Sequence, residues 1–197
     1  ESHSRILSVS DGTMHLNLLG EKLTANIPGG GQHRALTMSA VLLAQKLLGL
    51  DISGSLELTE EAIPQGRGNE TKVSGITIVD DSYNANPESM LAALTFMTQD
   101  KSPGRKIAVL GEMLELGNIT ASEHKKMAKV FSAFDKVFLV GEGFKETDSS
   151  GWFPEANTDL IAEVEAYAKP GDKILIKGSN RIFWAKNFVD NLVESLK

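Results

Sequence analysis

The pattern of apolar and polar positions in the first third of the chain predicts short strands followed by a helix. In residues 5–19, two apolar-rich runs flank the Asp11-Gly12 pair, and Asp-Gly between such runs favours a tight β-hairpin. A third run, LTANI, follows, and glycines then lead into apolar spacing typical of a helix over about 35–48. A shorter helix, rich in Glu and Leu, is predicted near 55–62.

After Pro64 the pattern becomes a regular alternation of short apolar runs and helical spacing. Strands are predicted over 76–79, 106–110, 136–140 and 173–176, and helices over 87–99, 122–134, 159–168 and 183–196. Continuous apolar strands separated by helices are typical of a parallel sheet covered on both faces. The sequence therefore predicts an α/β protein with two parts, residues 1–63 and residues 64–197. The second part is expected to be a Rossmann-like, doubly wound, mainly parallel sheet.

Two helix starts carry their own local signals. Asn86-Pro87 fits an N-cap followed by the first helical residue, and Thr120 with Glu123 has the spacing of a capping box. We therefore expect Asn86 and Thr120 to cap the helices that they precede.

Polar residues and glycines follow every predicted strand of the second part. They include Asp80, Asp81, Tyr83, Asn84 and Asn86 after the first strand, Glu112 and Glu115 after the second, Gly141 and Gly143 after the third, and Lys177, Gly178 and Ser179 after the fourth. The carboxyl ends of parallel strands share one edge of a sheet, where ligands bind. The sequence thus predicts a ligand-binding rim, with plain turn and cap chemistry as the competing interpretation for each residue.

Several weaker signals, at this rim and elsewhere, allow more than one interpretation. Glu112 and Glu115 fit either an acid–base pair or a solvated loop, and Gly141-x-Gly143 lacks the third glycine of the dinucleotide fingerprint. His33 lies between three glycines and a predicted helix, so it is the histidine most consistent with a place at the edge of a ligand-binding site. His124 is expected to be a surface or packing residue.

Composition excludes several classes of function. The net charge of −6 and the lack of a basic run argue against nucleic-acid binding. With no Cys and no metal-ligand spacing among four His, no metal site is predicted. No apolar stretch approaches the roughly 20 residues of a membrane span, so we expect a cytoplasmic protein. No G-x-x-x-x-G-K-[ST] motif occurs, so any ATP phosphates would be held by another segment.

The strings at the rim resemble a known family. IVDDSYNANPESMLAAL (78–94), IAVLGEMLELG (107–117) and ILIKGSNR (174–181), with His124, look like the C-terminal domain of a Mur ligase. Upstream, IPGGGQHRALTMSAVLLAQKLLGL (27–50) is similar to the end of that family's central ATPase domain. The resemblance implies an α/β ATPase-domain end in residues 1–63 and the whole C-terminal domain in residues 64–197.

The resemblance also implies an activity. Its DDSYNANP and LGEMLELG strings point to ATP-dependent amide formation between UDP-N-acetylmuramoyl-tripeptide and D-alanyl-D-alanine through an acyl phosphate, with ATP and Mg²⁺ as cofactors. The chain, which begins at Glu1, would then be the carboxyl-terminal part of a longer enzyme. Without the N-terminal domain and the P-loop segment, it is expected to be inactive by itself.

Site residues follow from the same resemblance, with no catalytic residue assigned. For the nucleotide, Arg67 would approach the phosphates, Asp81 would hold the ribose, His33 matches the histidine before the central-domain helix, and Thr37 replaces an asparagine associated with nucleotide contact. Facing the incoming dipeptide would be Tyr83, Asn84, Asn86, Lys177 and Ser179. Two alternatives stay open: another amino-acid ligase of the same superfamily, or a non-catalytic small-molecule-binding module with a doubly wound fold.

Overall fold

The computed structural model describes residues 3–147 and 151–197 of the chain. The chain divides into two compact units, Glu1–Pro64 and Gln65–Lys197. The first unit contains an antiparallel sheet in the order β1-β2-β3, and its elements are β1 (Ser4–Ser10), β2 (Thr13–Leu18), β3 (Glu21–Asn26), α1 (Gln32–Leu47) and α2 (Ser53–Leu56).

The predicted hairpin at the start of the first unit is confirmed. Asp11 and Gly12 both have positive φ, at 49° and 71°, as a type I′ turn between twisted strands requires. The helix after the glycines begins at Gln32, three residues before the predicted start. The predicted helix over 55–62 is wrong, because Thr59 is extended between α2 and a 3₁₀ turn at Glu60–Ala62.

The second unit is built on a six-stranded sheet in the order β4-β5-β9-β6-β7-β8. β4 runs antiparallel to β5, and every other pair is parallel. The strands are β4 (Asn69–Val73), β5 (Ile76–Asp81), β6 (Lys106–Gly111), β7 (Lys136–Val140), β8 (Trp152–Phe153) and β9 (Lys173–Lys177). The predicted doubly wound, mainly parallel sheet is confirmed.

Helices cover both faces of this sheet because successive strand residues point to opposite sides. The helices are α3 (Pro87–Gln99), α4 (Thr120–Met127), α5 (Thr158–Tyr167) and α6 (Phe188–Ser195). Buried residues of α3 and α4 pack with Ala108 and Leu110 of β6, whereas those of α5 and α6 pack with Ile107 and Val109. The chain therefore leaves β9 toward one face and leaves its neighbours β5 and β6 toward the other, which opens a crevice on each side of β9.

Two strands were missed by the sequence pattern. β4 reads NETKV, and only Val73 of it is buried, so it lacks the apolar run of an interior strand. Its turn into β5 nevertheless carries a hairpin signal, since Ser74 and Gly75 both have positive φ. β8 has only two residues and pairs with the end of β7.

Two predicted helices are shorter than expected. The segment 122–134 is α4 followed by a 3₁₀ helix at Ala128–Ala133, which contains three consecutive weaker helix formers, Val130, Phe131 and Ser132. The segment 183–196 is interrupted at Asn187, whose backbone is left-handed (φ 51°, ψ 34°), a conformation that asparagine tolerates better than most residues.

The two predicted caps differ in outcome. Asn86 caps α3 as expected: its side chain accepts the N–H of Ser89, whose hydroxyl accepts the N–H of Asn86. The capping box at Thr120 is wrong, because Thr120 is already helical and its hydroxyl donates to the carbonyl of Gly117.

A cluster of charged residues near the amino-terminal end of β9 makes the stability of the protein depend on pH. Burial by itself would raise the pKa of Asp100, but Lys173 Nζ at 2.7 Å and the N–H of Ser102 outweigh burial and lower it to about 2. Because the folded pKa lies below the unfolded value of 3.8, the stabilisation of about 2 kcal/mol is present above about pH 4 and is lost toward pH 2.

We expect Asp100→Asn to lower the free energy of unfolding by up to about 2 kcal/mol at pH 7 and to converge with the wild type near pH 2. Urea unfolding across this range measures the effect. Glu165→Gln, on an exposed position of α5, is the matched control and should follow the wild-type curve. A constant difference between Asp100→Asn and wild type at every pH would contradict this account.

Candidate ligand-binding rim

The ends of β5 and β9 are joined by a buried ion pair. Lys177 Nζ lies 2.7 Å from Asp81 Oδ2 and also donates to the backbone carbonyl of Asn84 at 3.1 Å. The Lys177 side chain is 3% exposed, whereas that of Asp81 is 26% exposed. The ammonium is therefore used inside the protein to hold the loop after β5, while the carboxylate still reaches solvent.

Asp80 lies beside this pair but faces a small cavity of about 180 Å³ that is also lined by Gln65, Ser82, Trp184 and Asp190. Burial raises the pKa of Asp80, and the neighbouring carboxylates of Asp81 and Asp190 raise it further. Hydrogen bonds from the N–H and hydroxyl of Ser82, at 3.1 and 2.5 Å, act in the opposite direction. Asp80 is thus the turn-forming residue of the Asp-Asp pair, and Asp81 is the one directed to the rim.

Ser179 spans the crevice between β9 and β6. Its hydroxyl accepts the N–H of Leu114 at 2.8 Å, and its own N–H donates to the carbonyl of Glu112 at 3.2 Å. The Glu112 carboxylate in turn accepts the N–H of Gly143 at 2.8 Å. Ser179 and Glu112 therefore connect the loops after β9, β6 and β7.

These connections require a close backbone approach between two strands. A Cβ atom on Gly178 would lie 2.8 Å from the Cα of Gly111 and equally close to the ring of Phe183. Glycine at 178 is therefore needed for the close packing against Gly111 and Phe183.

An aromatic stack supports the exposed part of the rim. The Arg67 guanidinium lies 4.4 Å from the centroid of the Tyr83 ring, which meets Trp184 edge to face at 5.5 Å. The N–H of Tyr83 donates to the carbonyl of Gly66, where a Cβ would lie 2.8 Å from the Trp184 ring. The stack holds an exposed cation and an exposed phenol side by side.

The two asparagines of the loop after β5 have local partners. Asn84 Oδ1 accepts the N–H of Ala85, and Asn86 caps α3. Both residues are exposed, so Asn84 and Asn86 still present amide groups to solvent next to Tyr83.

The remaining predicted nucleotide residues, His33 and Thr37, lie in the first unit. Both are exposed on the first turns of α1, and the Thr37 hydroxyl donates to the carbonyl of His33 at 3.2 Å. In the second unit, Arg67, Asp81, Tyr83, Asn84 and Asn86 keep exposed or partly exposed side chains, whereas Lys177 and Ser179 are buried; their roles in ligand binding stay predictions.

Sequence reasoning did not assign Trp184 to this region. Trp184 supports Tyr83 across 101 positions of sequence, and no local signal distinguishes it from an ordinary packing aromatic. Of the two expectations for His124, surface or packing, the second is correct, because the ring is fully buried against Phe144. The hydrogen bonds of its two ring nitrogens were not predicted.

Within residues 3–147 and 151–197, no cluster of three or more His, Asp or Glu side chains is placed to hold a metal ion. In the same part of the chain, no helix is long and apolar enough to cross a membrane. The rim thus offers hydrogen-bonding groups, one carboxylate and one guanidinium, which suit a polar organic ligand with negative charge.

Comparison with curated proteins finds relatives that carry the name of a ligase. The chain is 32% identical over 203 residues to the UDP-N-acetylmuramoyl-tripeptide--D-alanyl-D-alanine ligase of Bacillus subtilis (strain 168), a match that covers 96% of this chain and 44% of that protein. The enzyme of the same name from Synechocystis is 29% identical over 181 residues, covering 84% and 38%. The chain therefore spans less than half the length of these relatives.

Solved structures show the same fold. The MurF ligase from Thermotoga maritima in complex with ADP superposes with a TM-score of 0.81 at 22% identity, covering 98% of this chain and 47% of that one. MurF from Acinetobacter baumannii gives a TM-score of 0.80 at 22% identity, covering 98% and 45%. The family model described as the Mur ligase, glutamate ligase domain matches residues 66–180, and the chain therefore belongs to the Mur ligase family.

Proposed function

We propose that this chain is the carboxyl-terminal part of an ATP-dependent ligase that joins D-alanyl-D-alanine to UDP-N-acetylmuramoyl-tripeptide in peptidoglycan precursor synthesis. The observation that carries the proposal is the similarity to the Bacillus subtilis ligase of that name, which extends over 96% of the chain and so includes both units. Residues 1–63 would then be the end of the central ATP-binding domain, and residues 64–197 the C-terminal domain. The longer protein is expected to act in the cytoplasm.

Some rim residues suit the nucleotide, and others suit the dipeptide. Asp81 keeps a quarter of its side chain exposed beside the Lys177 ammonium, so it can accept hydrogen bonds from ribose hydroxyls. Arg67, held over the Tyr83 ring at 4.4 Å, presents a planar cation that suits phosphate oxygens. Asn84 and Asn86 present amides on the same loop and are assigned to the dipeptide side, with Ser179 at the neighbouring crevice.

We assign Lys177 an indirect role in substrate binding. Its side chain is buried and bonded to Asp81 and Asn84, so it acts on substrates through the shape of the loop after β5. Holding that loop in place before substrates arrive reduces the entropy lost on binding.

ATP and Mg²⁺ are the cofactors of the proposed reaction. Arg67 and Asp81 are assigned to the nucleotide on the second unit. His33 and Thr37 are the nucleotide candidates of the first unit, by the family resemblance alone. Among residues 3–147 and 151–197, no three His, Asp or Glu side chains cluster to hold a metal ion, and no Mg²⁺ ligand is assigned in this chain. The ligands of Mg²⁺, like the phosphate-binding loop, would belong to the preceding segments of the longer protein.

The test is phosphate release from ATP by the intact gene product when UDP-N-acetylmuramoyl-tripeptide and D-alanyl-D-alanine are supplied singly and together. Release that needs both substrates, with a muramoyl-pentapeptide identified by mass spectrometry, is the expected result. The 197-residue chain alone should release none. Asn84→Ala should raise the KM for the dipeptide about tenfold, while Glu163→Gln on the exposed face of α5 should leave it unchanged.

Two other outcomes would overturn the proposal in different ways. Ligation of another amino acid in place of D-alanyl-D-alanine would assign the chain to a different amino-acid ligase of the superfamily. An intact, folded product that releases no phosphate with any acceptor would favour a non-catalytic small-molecule-binding module.

A further inference from the structure

The buried ring of His124, on α4, contacts the loops after β6 and β7. Nε2 accepts the backbone N–H of Met113 at 2.8 Å, and Nδ1 lies 2.7 Å from the carbonyl oxygen of Thr120. The ring packs edge to face on Phe144 at 4.5 Å. A Cβ on Gly143 would lie 2.6 Å from Nε2, so the loop after β7 also closes on the ring.

These contacts fix the tautomer of the ring. A nitrogen that accepts a hydrogen bond from an amide carries no hydrogen, so in His124 the hydrogen is on Nδ1 and is donated to Thr120. Both polar atoms of a fully buried side chain are therefore satisfied by backbone groups of two different segments. The ring is a defined link between the start of α4 and the loop after β6.

The link continues to the crevice beside β9. Met113 is bonded to the His124 ring, and the next residue, Leu114, donates its N–H to the hydroxyl of Ser179. Displacing Met113 would therefore displace the group that holds the Ser179 hydroxyl. Lys177, two residues before Ser179, is bonded to Asp81, so the connected groups reach from α4 to β5.

We propose that His124 is a positioning residue for the dipeptide edge of the rim, acting through the Met113–Leu114 backbone on Ser179. This inference rests on the proposed function for the identity of the ligand, D-alanyl-D-alanine. Its physical part, the control of Leu114 and Ser179 by one ring nitrogen, is independent of the ligand. It requires the acceptor at Nε2 and does not require the donor at Nδ1.

Two amide variants separate these nitrogens. The side chain of glutamine reaches about as far as Nε2 and can accept the Met113 N–H, whereas that of asparagine reaches only the Nδ1 position and can donate to Thr120. Each variant keeps one of the two hydrogen bonds, so a loss of stability is expected in both. A purely structural role for His124 predicts similar behaviour of the two.

In the intact ligase we expect His124→Asn to raise the KM for D-alanyl-D-alanine about tenfold, with kcat and the KM for ATP within about twofold of wild type. His124→Gln should restore the dipeptide KM to near the wild-type value. Equal dipeptide KM values in the two variants, or parallel losses in kcat and both KM values that follow the melting temperature, would overturn the inference.

A spectroscopic arm uses the 197-residue chain and needs no activity. Two-bond ¹H–¹⁵N correlation of the His124 ring should show the hydrogen on Nδ1, and His124→Asn should shift the amide resonances of Leu114 and Ser179 while His124→Gln leaves them near their wild-type positions. Unmoved resonances in His124→Asn would overturn the inference even if ligation is observed. A wild type that does not ligate would overturn the proposed function, and the amide shifts would then decide the physical part separately.

Discussion

Asp172→Ala is expected to lower the free energy of unfolding by about 3–5 kcal/mol at pH 7. The carboxylate is almost fully buried at the start of β9 and accepts two hydrogen bonds from Arg105, at 3.0 Å and 2.6 Å, and one from the N–H of Lys169. Arg105 also donates to the carbonyl of Tyr167 and lies over its ring at 4.4 Å. Removing the carboxylate therefore releases the connection between β6, β9 and the end of α5.

The effect should also depend on pH. Burial by itself would raise the pKa of Asp172, but the guanidinium of Arg105 and the N–H of Lys169 outweigh it and lower that pKa. A carboxyl with a lowered folded pKa stabilises the protein above its unfolded pKa, and this contribution is lost as the pH falls through the folded value. The difference between Asp172→Ala and wild type should therefore shrink in acid.

Urea unfolding at pH 7 and in acid measures both effects. Glu163→Gln, an exposed carboxylate replaced on α5, is the control and should change stability by less than about 0.5 kcal/mol. A loss below about 1 kcal/mol in Asp172→Ala would mean that the Arg105 pair contributes as little as an exposed one.

The parallel core of the second unit could be predicted from the sequence because its signals are local. The runs KIAVL and KILI are apolar throughout, and Asn86-Pro87 marks the start of α3 within two residues. Polar residues after each strand had to meet at one edge once the strands were parallel. The rim and most of its residues follow from that argument alone.

The roles of individual rim residues could not be predicted, since they depend on contacts between distant positions. Lys177 and Asp81 are 96 positions apart, and Leu114 and Ser179 are 65 apart. A lysine after a strand is typical of an anion site, and only the pairing with Asp81 shows that this one is already satisfied. The antiparallel strand β4 was not predicted because it lies at the edge of the sheet and pairs with only one strand. An edge strand can carry charged side chains, so β4 lacks the apolar run that marks an interior strand.

The two partners of the Lys177–Asp81 pair should differ sharply when each is neutralised. Asp81→Asn leaves a buried ammonium with neutral oxygen acceptors and no carboxylate to balance its charge, so it is expected to cost about 3 kcal/mol of unfolding free energy. Lys177→Met leaves a carboxylate that is 26% exposed and can be hydrated, so about 1 kcal/mol is expected. The loop after β5 should loosen in both variants.

A double-mutant cycle in urea at pH 7 separates burial from attraction. In Asp81→Asn/Lys177→Met no charge is buried, so the double variant should be more stable than Asp81→Asn alone. Glu142→Gln, which breaks the exposed pair of Glu142 with Lys145, is the matched control and should cost less than about 1 kcal/mol. If Lys177→Met proved as costly as Asp81→Asn, or if the two losses simply added, the cost would not come from an uncompensated buried charge. Because methionine keeps most of the apolar stem and lacks the ammonium that donates to the carbonyl of Asn84, that result would assign the order of the loop to this hydrogen bond and not to the charge pairing with Asp81.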